Sequence, residues 1–266
     1  VISFQMDVAG VALATVISEV LSAVLVLVSL MRSQDELAFS WRKLRIHRRS
    51  LSLMSKVGIP AGIQGCLFSL ANLAIQGAIN AYGSVVVAGS SAAGRIDGFI
   101  YVSMNTFHQA AQTFLSQNIG AGKYDRVKDI LKKCLLCTVV TGAILCTVAC
   151  VFSQPLLRIY NQDPAVVAAG TVRLYIAVAP YIIFGLADVL TGAIRGCGSP
   201  VRPVVINLLC TCVFRLLWIS AINTDTVPVT WVYASYPASW LVLLIALTVC
   251  WLRLYRRKIR PHLMPD

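Results

Sequence analysis

The sequence predicts an all-α, polytopic transmembrane helix bundle of about seven spans, and three observations carry that prediction. Hydrophobic residues make up 58% of the 266 and charged residues only 13%, about half the charge of an ordinary soluble domain. The apolar residues gather into runs close to the roughly 20 that one span requires. The basic residues gather between those runs, on alternate segments, which is how loop charge fixes membrane topology. The formal net charge of +12 is therefore spread over loops, and the pattern does not describe a nucleic-acid surface.

The spans are expected near 8–31, 57–80, 88–117, 134–153, 171–194, 203–222 and 230–252. The segment 32–56 is the longest break. It divides a single N-terminal helix (1–31) from a six-helix body (57–252), and a basic tail (253–266) follows. Its stretch 42–56 is either an amphipathic element lying on an anionic leaflet or a solvated linker. The chain opens Val1-Ile2-Ser3-Phe4, without an initiator Met or a basic leader. It reads as starting partway through a longer protein, with no signal peptide visible.

Orientation follows from the 23 Lys and Arg. Only Arg158 and Arg173 fall on the minor set of alternate segments, and only Arg95 and Arg215 fall within spans. The other basic residues share one side, which the positive-inside rule makes cytoplasmic. Most of the nine cysteines lie in apolar runs. Cys134-x-x-Cys137 lacks a second ligand pair and reads as two small apolar residues at the start of a span.

Polar groups inside spans are costly, so their positions carry information. Gln64, Asn72, Gln76 and Asn80 fall on an i, i+4 ladder in the second span. In the third, Asp97, Tyr101, Asn105, His108, Gln109, Gln112 and Ser116 keep a similar spacing. Residues three or four apart share a helix face, so both helices carry a polar stripe. Asn207, Thr211 and Arg215 repeat the spacing in the sixth, and the fifth carries Asp188, Thr191 and Arg195. Such stripes serve either as interhelical hydrogen-bonding groups or as the wall of a hydrated cavity, and their number favours the cavity.

Three carboxylates lie within spans: Glu19, Asp97 and Asp188. A carboxylate at that depth can bind a proton, Na⁺ or an organic cation, and Na⁺ is expected at Asp188 or Asp97 if a metal binds at all. Each also has a structural reading, as a salt bridge to an Arg or a contact at a lobe interface. His108 is a further candidate proton carrier. No HExxH, P-loop or GxSxG motif is present, which excludes the common hydrolytic and ATP-driven classes.

Four motifs then point to a family. Gly58-Ile59-Pro60-Ala61-Gly62 opens a span, and Tyr82-Gly83 forms the next turn. Gln117-Asn118-Ile119-Gly120-Ala121-Gly122 precedes Arg126. Arg195-Gly196-Cys197-Gly198 precedes Pro203. In order and spacing across nearly the whole chain, this resembles the C-terminal lobe of a MATE (multidrug and toxic compound extrusion) transporter, with the last helix of the N-terminal lobe in front.

The resemblance implies twelve helices in two six-helix lobes, a bacterial plasma-membrane location and a monomer whose N-terminal lobe lies outside this chain. It implies export of organic, amphipathic cations in exchange for Na⁺ or H⁺, with no enzymatic cofactor. A lipid-linked oligosaccharide flippase of the same superfamily is the alternative, and a channel or scaffold half is a third. Asp188, Asp97, Asn72, Gln76, Asn105, Gln109, Gln112, His108 and Glu19 are the expected ion- and substrate-binding residues. Some branches place a coupling acid in the first helix of this lobe, where this chain has Cys66-Leu67-Phe68-Ser69. Asp188 lies about one helical turn from the position of their second acid.

Overall fold

The computed structural model describes residues 7–32, 45, 47–222 and 226–262. Helix dominates them, and no strand occurs among the described residues. In order, the helices are α1 (Asp7–Arg32), α2 (Arg48–Asn80), α3 (Ser84–Gly120), α4 (Val127–Val151), α5 (Ser153–Arg158), α6 (Pro164–Ala177), α7 (Tyr181–Gly196), α8 (Val201–Asn207), α9 (Phe214–Ser220) and α10 (Thr230–Leu254). A π-helical segment, Leu208–Val213, joins α8 to α9. The chain divides into two compact units, residues 1–54 and 55–266.

In the first unit, α1 presents Leu13, Ile17, Leu21 and Leu25 to its surroundings, each about half exposed or more. Most of the expected segment 32–56 lies outside the described residues. Its end, from Arg48, is already helical and continuous with α2.

The second unit is built around α3, which packs against α4, α6 and α7, while α10 packs against α6 and α7. The outer faces remain apolar. Val140, Ile144 and Val148 of α4, and Leu241, Ile245 and Val249 of α10, stand exposed at helical spacing. Such faces suit hydrocarbon, where van der Waals fit rather than the hydrophobic effect joins helices. That fit is visible at the α3–α7 contact. A Cβ placed on Gly192 would lie 2.4 Å from the His108 carbonyl oxygen, and one on Gly196 would lie 2.7 Å from that of Gln112. The Gly192-x-x-x-Gly196 spacing therefore lets the two backbones touch.

Among the described residues, five helices are long and apolar enough to cross a membrane, and six if the bent pair α6–α7 counts as one span. The sequence had suggested seven. The seventh expected span falls on α2, 33 residues long, several of whose side chains lie outside the described residues to which that count applies. The expected fifth span, 171–194, starts late. Asp163 caps α6, accepting a hydrogen bond from Ala165 N at 2.9 Å, and Pro164 fills the first helical position, where its missing N–H costs nothing. The helix therefore runs from Pro164 and bends by 48° before Tyr181, where Pro180 cannot donate to the backbone ladder. Arg173, counted with the loop charges although it stands at the edge of the expected span, lies well inside α6.

The expected basic tail is not free over its described part. Helical structure continues to His262, Leu254 and Ile259 are buried, and the His262 ring stacks on Tyr124 at 4.3 Å. Two of the three motif glycines with positive φ follow the ends of α3 and α7. Gly122 and Gly198 adopt φ of 72° and 73°, a region costly for residues with a Cβ.

Candidate functional site

Helices α2, α3, α6, α7, α9 and α10 surround a chamber of about 450 Å³, within the usual range for small-molecule pockets. One wall is aromatic. Tyr181 and Trp240 meet edge to face at 5.0 Å, Phe184 lies 5.5 Å from Trp240, and Tyr236 lies 5.9 Å from it. The bend at Pro180 lets the α6–α7 span contribute Arg173 together with Tyr181 and Phe184, while Tyr236 and Trp240 come from α10.

The charged groups come from three helices. Arg173 Nη2 stands 3.6 Å from Asp97 Oδ2, and its Nη1 donates to the Ser90 carbonyl. Asp97 Oδ1 and Arg173 Nε are buried without a hydrogen-bond partner, so the pair is incompletely satisfied by protein. Arg215 is 1% exposed. Its Nε donates to Ser239 Oγ at 2.9 Å, and its guanidinium lies 4.5 Å from the Tyr236 ring centre and 6.0 Å from those of Phe68 and Trp240.

A second polar group lies between α3 and α7. His108 Nδ1 is 2.9 Å from both Asp188 Oδ1 and the Asp188 carbonyl. Both of these are acceptors when the carboxylate is ionised, so the hydrogen sits on Nδ1. Asn105 Nδ2 donates to Asp188 Oδ2 at 3.4 Å. Next to it, Asn207 Nδ2 donates to Thr191 Oγ1 at 3.3 Å. The backbone contact at Gly192 brings Asp188 within reach of His108.

The expected site residues thus separate. Asn72, Gln76 and Asp97 line the chamber. Asn105, His108 and Asp188 form the second group. Gln109 and Gln112 belong to neither, and Gln109 is exposed. Glu19 is an exposed residue of the first unit. Gln64 is a residue whose side chain lies outside the description. Arg95 is exposed and does not line the chamber.

The stripe on α3 divides because i, i+4 steps advance about 400° at 3.6 residues per turn, a drift of roughly 40° per step. From Asp97 to Gln109 the stripe winds onto another face. Asn207, Thr211 and Arg215 also fail to share a destination, since Asn207 meets α7 while Arg215 meets α10. The intervening π segment changes the turn on which their common face depended.

No cluster of three or more His, Cys, Asp or Glu suited to a metal occurs among the described residues. All nine cysteines are free, including the Cys134/Cys137 pair.

Residues 60–218 match the MatE family model. Among curated proteins, the chain is 25% identical over 245 residues to "Probable multidrug resistance protein YoeA" of Bacillus subtilis, covering 91% of this chain and 53% of that protein. It is 29% identical to "Probable multidrug resistance protein YpnP" of the same organism, with coverages of 80% and 47%. It is 25% identical to the "FAD transporter" of Shewanella oneidensis, with coverages of 83% and 48%. The chain spans about half the length of these relatives. Among solved structures, the Vibrio cholerae MATE transporter VcmN in its bent form matches with a TM-score of 0.76 at 17% identity, covering 96% of this chain and 57% of VcmN.

Proposed function

The chain belongs to the MatE family of multi-pass membrane transporters, and on that premise we propose that it supplies the C-terminal lobe of an efflux transporter for amphipathic organic compounds. A companion N-terminal lobe completes the cavity, and the working unit is a monomer. The reading is supported above all by one observation, a chamber holding buried charge within a membrane-embedded bundle. Charge at such depth is expensive and marks a pathway by default. A scaffold would have no use for it.

Transport proceeds by alternating access, the two lobes rocking around the cavity. The basic loops and the C-terminal end face the cytoplasm, in keeping with the positive-inside distribution. The coupling ion is H⁺, carried by His108 and Asp188. In that pair an imidazole N–H and a carboxylate share one hydrogen bond away from bulk water, so a proton taken up there changes the contact between α3 and α7. Na⁺ has less support, because Asp188 is engaged by His108 and Asp97 by Arg173. A cationic cargo would find one carboxylate in this lobe's chamber, Asp97, opposed by two guanidiniums.

The test is dye efflux by the full-length transporter in inverted vesicles, under an imposed pH gradient and, separately, a Na⁺ gradient. Efflux should follow the pH gradient, and Asp188→Asn should reduce it about a hundredfold, as expected when the group that carries the driving ion is lost. Efflux that follows Na⁺ alone, or survives in Asp188→Asn, removes the pair from the account.

A further inference from the structure

We propose that Arg215 makes the chamber a receptor for an anionic group, so that this lobe recognises aromatic compounds carrying a single carboxylate or a similar acid. The inference rests on the transport reading and names its substrate class.

The argument starts from the cost of burial. A guanidinium removed from water needs hydrogen bonds or an opposite charge. At Arg215 the structure supplies only part of this. Nε has its acceptor in Ser239 Oγ. Among the described residues, neither Nη group donates a hydrogen bond to protein, and no carboxylate lies within 4.0 Å. The nearby ring faces attract a cation but accept no strong hydrogen bond. The two Nη groups form the fork that pairs with a carboxylate or phosphate oxygen pair, and the residue lines an open chamber.

The charge balance agrees. Asp97, Arg173 and Arg215 are the ionised groups on the chamber wall. The carboxylate is already taken by Arg173, which leaves one guanidinium uncompensated. A single acid on the ligand restores neutrality, whereas a pyrophosphate headgroup exceeds what one cation offers. Tyr181, Phe184, Tyr236 and Trp240 present ring faces and edges around the same space, suited to an aromatic body.

The test uses two dyes on one xanthene frame: fluorescein, at a mildly acidic pH that keeps its phenol protonated so that the carboxylate is its one net charge, and an esterified cationic rhodamine. Their affinities for the purified full-length transporter are read by fluorescence anisotropy in detergent. Fluorescein should bind at least about tenfold more tightly than the rhodamine. Arg215→Gln should abolish that preference, and Arg215→Lys should keep part of it. Asp97→Asn, which adds net positive charge without removing the guanidinium, should widen the preference at least about threefold. If Arg215→Gln does not fold, Asp97→Asn decides the matter, and an unchanged ratio overturns the proposal. A wild-type preference for rhodamine, or no fluorescein binding, also overturns it. Transport separates the two readings. Fluorescein bound but never moved in vesicles ends the transport reading and leaves the anion site standing. Rhodamine moved without any fluorescein binding does the reverse.

Discussion

Two regions of one bundle each set an acid against a base, and they are built in opposite ways. In the chamber, Asp97 and Arg173 stand 3.6 Å apart, atoms of both lack partners, and Arg215 is left over. Between α3 and α7, His108 and Asp188 meet at 2.9 Å, Asn105 covers the second carboxylate oxygen, and the helix backbones leave no gap at Gly192. Incomplete satisfaction beside an open space suits a site that receives something. A carboxylate with a partner on each oxygen, at a close helix contact, suits a site that holds a proton and reports its gain or loss to the helices. The difference lies in the partners each carboxylate finds, an arginine in one region and a histidine with an amide in the other.

The comparison breaks first at Gly192. Gly192→Val should have the largest effect, because its added carbons meet the His108 backbone and must push α7 off α3. Overpacking of this kind costs roughly 1–3 kcal/mol, and a clash with backbone belongs at the upper end. The melting temperature of the purified transporter should fall by several degrees and transport should vanish. A variant with the parent melting temperature would mean that the helices do not touch there.

A smaller effect sharpens the chamber side. Arg173→Gln strands the Asp97 carboxylate and should cost about 1–2 kcal/mol, less than a dry ion pair because the chamber admits water. Asp97→Asn added to that background should return at least half of the loss. Independent, additive losses in a double-mutant cycle would show that the two residues do not act as a pair. The smallest effect belongs to Gln109→Ala. Gln109 lies on neither region, so dye affinity and stability should stay within about twofold and 0.5 kcal/mol, the usual range for surface changes. A tenfold loss of affinity would return it to the binding wall.

Much of the bundle was legible in the sequence, because the apolar runs and the loop charges both report on the solvent around the helices. The chamber was legible in part. Asn72, Gln76 and Asp97 were found through spacing, but the same spacing drew in Gln109 and Gln112, since an i, i+4 ladder drifts around a straight helix. Arg173 stands at the very edge of the expected span 171–194 and is counted with the loop charges, although Asp163-Pro164 already marks the helix start. The partner of Asp188 could not be read from spacing along either helix. It depends on how closely α3 and α7 approach, for which Gly192-x-x-x-Gly196 was the available sign. The aromatic wall carries no local pattern, because its rings come from α7 and α10 and meet only after the break at Pro180.

The most direct test of the division between the two regions is Asp188→Asn, with fluorescein affinity and pH-driven efflux measured on the same preparation. Affinity within twofold of the parent, together with efflux reduced about a hundredfold, is the expected result. A parallel loss of both would contradict it, and would mean that the chamber and the α3–α7 pair are one site.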